Sequence, residues 1–458
     1  MTRLYCPTVW LPDGWADAVV IEIGDEGDIV TVAVGGSPTG CVLVGGPVIP
    51  GIPNLHSHAF QRAMAGLCES GGPQADNFWT WRKVMYGFVE QLTPEDVEAI
   101  AAQLYVEMLK AGYTGVGEFH YLHNAPGGKP YTQHTEMSDR VISAARRVGI
   151  GITHLPVLYK QGGFDGRSPA DAQRRFVTDA DRFVELVEEL QRHYARERCV
   201  EIGIAPHSLR AVSSDDLEHV IDAFTNIDSK GRIHIHVAEQ VREVEDCMAW
   251  SGLRPVQWLQ EHFEIDERWC LIHATHVTNN ELQRLAKSGA VAGLCPTTEA
   301  NLGDGMFPAR DYAAEGGRFG FGSDSHISVS PIEELRWLEY GQRLVHKERN
   351  VLADSEGAST GAGLYRRALD GGAQALGQRI GRIEPGYRAD LLVLDSDAPL
   401  LAGKSGDTLI DAWIFAGNEN TVRDVIVGGK RVVEAGRHTM EGEIADDFRR
   451  TMTRLCAD

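Results

Sequence analysis

The sequence predicts an α/β fold: a (β/α)8 TIM-type barrel with a small β-sandwich-like domain built from both ends of the chain. Apolar strand-like runs alternate with helical stretches from about residue 52 to residue 385, which is typical of parallel β/α units. The two ends instead hold short β-type runs separated by Gly, Asp and Pro. We therefore expect a discontinuous β domain, 1–51 and 386–458, around a barrel domain, 52–385.

Eight strand-like runs are found within the barrel segment. They cover residues 51–56, 114–121, 150–159, 200–209, 232–240, 270–277, 290–298 and 318–326. Helix starts between them are marked by a Ser or Thr with an acidic residue three positions later, at Thr93, Ser213, Thr278 and Ser330. The runner-up fold is an open doubly wound sheet, which normally carries a phosphate-binding glycine motif. Neither G-x-G-x-x-G nor G-x-x-x-x-G-K-[ST] occurs in the chain, so the closed barrel is preferred.

Composition limits the partners of the protein. Its 458 residues include 44 Lys and Arg against 65 Asp and Glu, a formal charge of −21. Such a surface repels phosphates, so nucleic acid and anionic membranes are disfavoured and a small molecule is expected. The eight cysteines form no C-x-x-C, and the first residues do not resemble a signal peptide. We therefore expect reduced thiols and a cytoplasmic location.

Histidines and acids concentrate at the predicted C-terminal ends of the strands, where barrel enzymes place their chemistry. The candidates are His56 and His58 on strand one, His234, His236 and Glu239 on strand five, His273 and His276 on strand six, and Asp324 on strand eight. Imidazole and carboxylate together suit Zn²⁺ or Fe²⁺. Periodicity alone does not separate His234 from His236 as a ligand.

The H-x-H of strand one, the H-x-x-E of strand five, the histidine of strand six and the S-D of strand eight resemble the amidohydrolase superfamily. The segment 381–395 is similar to the composite β domain of that superfamily. The resemblance implies that His56, His58, His236 and Asp324 bind the metal, and that Glu239, His273 and Asp324 are catalytic. Strand four lacks the lysine of binuclear members, which implies one Zn²⁺ per subunit, with Fe²⁺ possible, in a homodimer.

Segments 53–66, 118–124, 205–212 and 235–240 resemble superfamily members that act on N-formimidoyl-L-glutamate. This resemblance implies hydrolysis of the linear amidine to N-formyl-L-glutamate and ammonia, a step of histidine degradation. It also implies that Arg210 and Tyr121 hold the α-carboxylate of this dicarboxylate substrate. Arg82, Gln61 and His207 would hold the side-chain carboxylate.

Three other interpretations remain open at this stage. The first is a deaminase of an aminoheterocycle such as guanine or an adenosine derivative, whose pocket would be apolar or aromatic instead of carrying two arginines. The second is a catalytically silent scaffold, which would normally have lost metal ligands. The third is hydrolysis of the same substrate to formamide and glutamate. On spacing alone, Arg82 could cover neighbouring aromatic residues and Arg210 could pair with Asp215.

Overall fold

The chain begins with a series of short strands. The computed structural model describes residues 1–69 and 78–457. The first five strands are β1 (Thr2–Leu11), β2 (Gly14–Ile23), β3 (Ile29–Ala33), β4 (Val42–Leu43) and β5 (Val48–Pro50). β1 and β2 pair antiparallel through a tight turn at Gly14, whose φ of 119° favours glycine.

The barrel follows directly. Its strands are β6 (Ile52–Ser57), β7 (Tyr113–His120), β8 (Gly151–Leu158), β9 (Val200–Ile202), β10 (Ala205–Pro206), β11 (Ile233–Val237), β12 (Trp269–His273), β13 (Val291–Leu294) and β14 (Arg318–Phe321). Each predicted run contains a strand, and the fourth is interrupted to give β9 and β10. β6 to β10 form one parallel sheet and β11 to β14 form another. Single bridges join the sheets, Ser57 to Asp324 and Ile204 to Ile233. The strands therefore close into a barrel, and the open-sheet alternative is wrong.

The end of the chain returns to the first strands. It contributes β15 (Leu391–Leu394), β16 (Val422–Val427), β17 (Lys430–Glu434) and β18 (Arg437–His438). β15 pairs antiparallel with β5, so the described strands of both ends share one nine-stranded sheet. The joining of the two ends was expected, whereas the sandwich-like packing stays a prediction.

The helices lie between and beyond these strands. They are α1 (Phe78–Val89), α2 (Pro94–Ala111), α3 (Glu136–Val148), α4 (Ala180–Tyr194), α5 (Ser214–Ile227), α6 (Val241–Ser251), α7 (Pro255–His262), α8 (Asn279–Ser288), α9 (Pro296–Leu302), α10 (Ala309–Ala314), α11 (Pro331–His346), α12 (Thr360–Leu376), α13 (Asp407–Phe415) and α14 (Glu441–Leu455). The four predicted caps are confirmed, since the side chains of Thr93, Ser213, Thr278 and Ser330 each accept a backbone N–H three residues on.

Two helices occupy an end of the chain for which only β-type runs were expected. α14 packs on α2, where Lys110 pairs with Glu441 at 2.8 Å and Arg454 pairs with Asp96. Among the described residues, no helix is both long and apolar enough to cross a membrane.

The interior of the barrel is apolar beneath its C-terminal mouth. Leu55, Cys270, Ile272, Val291 and Cys295 form one buried cluster there, each with almost no exposed surface. This apolar packing forms a floor beneath the polar strand ends.

Candidate active site

Four buried side chains from three barrel strands converge at one point. One ligand atom from each of His56, His58, His236 and Asp324 lies within 4.8 Å of the others. Asp324 Oδ1 is 3.3 Å from Nε2 of both His56 and His58. The Nε2 atoms of His56 and His236 are 3.1 Å apart. The structure therefore brings together all four residues that the resemblance implied as ligands.

The donor atoms of this cluster fit a divalent cation. His58 Nδ1 donates to the carbonyl oxygen of Phe119 at 2.8 Å, and His236 Nδ1 donates to that of His207 at 3.2 Å. Both Nε2 atoms therefore carry lone pairs directed at the cluster. Burial lowers the pKa of His56 to about 3, so this imidazole is neutral at physiological pH. Neutral imidazole and carboxylate donors at this spacing are those that zinc and iron prefer.

The structure separates the two histidines of strand five. His234 Nε2 donates to the carbonyl oxygen of Ala375 at 2.9 Å, so this ring is bound to the backbone of α12. His236, two residues along, has its ring within the group of four candidate metal ligands, which we call the metal cluster. Side chains two apart on a strand lie on the same face, so periodicity could not distinguish the two histidines. Their different hydrogen bonds show which of them faces the cluster.

The backbone adopts a left-handed conformation at three strand ends, at or next to polar side chains of the site. Ala238, His273 and Asp324 have φ values of 51°, 67° and 47°. Such conformations cost about 1–3 kcal/mol for a residue with a side chain and often occur at functional sites. Glu243 stabilises the first of these turns, because its buried carboxylate accepts the N–H groups of Ala238 and Glu239, both at 3.1 Å.

Three acids surround the ring of His273. Its Nε2 is 3.9 Å from Glu239 Oε1 and 3.9 Å from Asp324 Oδ2. Its Nδ1 donates to Glu299 Oε1 at 3.2 Å. Although burial alone lowers the pKa of His273, these carboxylates raise the pKa to about 10. Burial also raises the pKa of Glu239 above its ordinary value. Both groups are therefore suited to hold protons near the metal cluster.

A pocket opens above the cluster, with about 550 Å³ of empty space that includes open solvent at its mouth. Every candidate residue implied by the resemblance lines it, except His56, which lies beneath. The described residues lining it are His58, Gln61, Trp81, Arg82, Met85, Tyr86, Tyr121, Tyr159, Phe176, His207, Arg210, His236, Glu239, His273, Thr298, Leu302, Asp324 and Ser325.

The two arginines approach this pocket from different elements. Arg82 of α1 donates through Nη2 to the Tyr159 hydroxyl at 2.8 Å, and its guanidinium lies 5.2 Å from the centre of the Tyr86 ring. Arg210 follows β10, and its Nη2 is 3.8 Å from Glu239 Oε2 and 4.0 Å from Glu243 Oε2. Arg82 thus covers aromatic residues, as one interpretation of the sequence had it, but it does so on the pocket wall.

The remaining candidates form the polar side of the same pocket. Gln61 Nε2 donates to the Tyr121 hydroxyl at 2.7 Å. The His207 ring lies 5.9 Å from that of Tyr121 and 4.8 Å from that of Tyr159. Tyr159 was not identified from the sequence as a pocket residue, although its position at the end of a predicted strand could have indicated it. Glu299 was also missed, because it enters the site from α9 and not from a strand end.

The chain belongs to the amidohydrolase family, whose profile matches residues 48–432. It is similar to a formimidoylglutamate deiminase of Pseudomonas aeruginosa, with 50% identity over 455 residues that cover 99% of this chain and 100% of that one. It is also similar to the crystal structure of an amidohydrolase from Brucella melitensis, with a TM-score of 0.94, 47% identity and full coverage of both chains. An adenosine deaminase from Xanthomonas campestris with bound zinc shares the fold, with a TM-score of 0.82 and 20% identity, over 99% of this chain and 98% of that one.

Proposed function

We propose that this protein hydrolyses N-formimidoyl-L-glutamate to N-formyl-L-glutamate and ammonia. The observation that carries the proposal is a pocket in which two arginines stand above a buried cluster of metal ligands. The full-length similarity to a formimidoylglutamate deiminase supports this substrate. The protein is accordingly a hydrolase that acts on the C–N bond of a linear amidine.

We propose that one Zn²⁺ per subunit binds His56, His58, His236 and Asp324, with Fe²⁺ accepting the same donors. When bound, such an ion supplies Lewis acidity that makes water nucleophilic at neutral pH. The carbonyl acceptors of Phe119 and His207 fix the tautomers of His58 and His236, which keeps both Nε2 lone pairs available.

The protons of the reaction are assigned to three side chains. Asp324 would accept the proton of the attacking water through Oδ2, the oxygen that faces His273. Glu239 would deliver a proton from Oε1 to the leaving nitrogen, which departs as ammonia. His273 would donate a hydrogen bond from Nε2 to the polarised amidine, while Glu299 holds its Nδ1–H. The raised pKa values of Glu239 and His273 favour both donor roles.

The two carboxylates of the substrate need cations within a protein of charge −21. We propose that Arg210 and Tyr121 hold the α-carboxylate, and that Arg82, Gln61 and His207 hold the side-chain carboxylate. Guanidinium groups suit this role because they donate two parallel hydrogen bonds to one carboxylate.

A substrate panel tests this assignment against the aminoheterocycle alternative. Metal-replete protein is incubated separately with N-formimidoyl-L-glutamate, guanine and adenosine, and ammonia release is followed. We expect release from the amidine and none above background from either purine. Release from guanine or adenosine alone would replace the proposed function. Failure of the purified protein to take up metal, together with no ammonia release from any substrate, would support the scaffold interpretation.

Three further proposals come from the sequence. The protein is a cytoplasmic homodimer whose partner in catalysis is a small molecule. Residues 1–51 and 386–458 form a composite domain with a structural role, and residues 52–385 form the catalytic barrel.

A further inference from the structure

The two oxygens of Asp324 face different groups. Oδ1 is 3.3 Å from Nε2 of His56 and of His58, within the metal cluster. Oδ2 is directed toward Nε2 of His273, at 3.9 Å. The carboxylate of Asp324 therefore presents one oxygen to the other candidate metal ligands and the second oxygen to His273.

A thiol completes a second group of ligand atoms on this side. Cys295 follows β13 and belongs to the buried apolar floor of the site. One ligand atom from each of His273, Cys295 and Asp324 lies within 4.8 Å of the others, and all three residues are buried. Glu239 Oε1, 3.9 Å from His273 Nε2, offers a fourth donor.

The donor types decide which ion this group suits. Imidazole nitrogen, carboxylate oxygen and thiolate sulfur together are a zinc set, and the sulfur disfavours Mg²⁺ and Mn²⁺. Tetrahedral zinc with bonds of about 2.0–2.3 Å separates its ligand atoms by about 3.3–3.8 Å. These ligand atoms already lie within 4.8 Å of one another, so each pair would have to approach by at most about 1–1.5 Å to close around an ion.

We propose that His273, Cys295 and Asp324 form a second, inhibitory site for a thiophilic divalent cation such as Zn²⁺ or Cd²⁺. Binding would release two protons to solvent, the thiol proton of Cys295 and the Nε2 proton of His273, and the ion would then engage His273 Nε2 and Asp324 Oδ2. Those are the atoms to which the reaction assigns proton handling, so an ion there would block turnover. The inhibition rests on the proposed function, whereas binding of the ion does not.

Cadmium binding tests the site without any substrate. Protein that already holds one equivalent of Zn²⁺ is titrated with Cd²⁺, and the ultraviolet charge-transfer band of a cadmium–thiolate bond is followed. Cys270→Ala is the matched control, because Cys270 lies in the same buried apolar cluster. We expect the band in the native protein and in Cys270→Ala, and its loss in Cys295→Ala. A band that persists in Cys295→Ala, or none in the native protein, would overturn the proposal.

Excess zinc tests the inhibition. Ammonia release is measured at rising free Zn²⁺, each variant being compared with its own rate without added zinc. We expect Cys295→Ala to need at least about tenfold more zinc for half inhibition, a factor worth about 1.4 kcal/mol. Equal sensitivity of Cys295→Ala and Cys270→Ala would contradict the proposal. Cys295→Ser replaces Cys295→Ala should the latter fail to fold. A thiolate band without ammonia release from the amidine would count against the proposed function alone.

Discussion

Glu239 Oε1 and Asp324 Oδ2 each lie 3.9 Å from the same atom, Nε2 of His273, at the base of the pocket. Glu299 holds the far side of the His273 ring. At this spacing one reacting atom that lies beside such a pair can be within hydrogen-bond reach of both groups. Their roles differ because burial and neighbouring charge set different protonation states for similar groups.

Glu239→Gln removes the proton donor for the leaving nitrogen while preserving size and polarity. We expect kcat to fall at least about 100-fold, the usual lower range for loss of general acid catalysis. Bound metal, measured by elemental analysis, should stay at the native stoichiometry. Near-native kcat in this variant would show that Glu239 does not deliver the proton.

Arg82→Met removes one cation of the pocket and keeps an apolar stem beside Tyr86. Hydrogen bonds to charged groups contribute about 1.5–3 kcal/mol, so we expect KM to rise about 10- to 100-fold with bound metal unchanged. Lys83→Met, at the exposed neighbouring position on α1, is the matched control and should change KM little. Equal effects in both variants would mean that Arg82 acts through net charge and not by holding a carboxylate.

The four residues of the metal cluster could be predicted from the sequence. The acidic residues that hydrogen-bond to the strand ends around them could not. H-x-H and H-x-x-E place His56, His58 and His236 on strand ends, where spacing is informative. Glu299 lies on α9, and only the three-dimensional path of the chain brings it to the end of strand six. Glu243 is near strand five in the chain, but as an acid in the first turn of α6 it has the ordinary interpretation of a helix-start residue.

At the scale of the elements, β6 and the end of β14 are in close contact beside the metal cluster. A Cβ on Gly322, just after β14, would lie 2.5 Å from the Cβ of His56 and 2.8 Å from its backbone nitrogen. Only glycine allows the strand that carries Asp324 to approach the strand that carries His56 this closely. The barrel closure and the ligand geometry therefore depend on the same contact.

Gly322→Ala should displace His56 and loosen the cluster. We expect a loss of about 1–3 kcal/mol in the free energy of unfolding, the usual cost of overpacking, together with bound metal below one equivalent. Gly442→Ala, in α14 with open space at the Cβ position, is the control and should keep full metal content. Full occupancy and native stability in Gly322→Ala would show that the contact relaxes without moving the ligand.

Elements with strong local signals could be predicted, and those fixed by distant contacts could not. Apolar runs predicted all the barrel strands, and cap residues such as Thr93 predicted four of the helix starts. The division of strand four into β9 and β10 has no local signal that we recognise. α14 was missed because the preceding β-type runs suggested that strands continue, although its pairing with α2 stabilises a helix there.

At the scale of the whole molecule, the ligands span the barrel. His56 and His58 come from the first strand, His236 from the fifth and Asp324 from the end of the eighth, so a bound ion would link both parallel sheets. The charge of −21 makes local cations in the pocket necessary for a substrate that carries two carboxylates. Neither the position of the ligands across the barrel nor the arginines of the pocket could be inferred from chain length and net charge alone.

Metal removal should lower the stability of the entire barrel. An ion that binds only the folded state stabilises it by about 2.7 kcal/mol when its free concentration is 100 times Kd. We expect a lower Tm after chelation and recovery on adding Zn²⁺, measured by calorimetry. His56→Ala is the control, since its Tm should respond little to zinc. Equal responses in both proteins would place the stabilising ion elsewhere.

The most direct test of the central claim identifies the products of one reaction. Metal-replete protein is incubated with N-formimidoyl-L-glutamate, and the products are followed by NMR with a parallel ammonia assay. The account predicts equal amounts of N-formyl-L-glutamate and ammonia, abolished by metal removal and restored by Zn²⁺. Formamide and glutamate as the products, or turnover that survives complete metal removal, would contradict it.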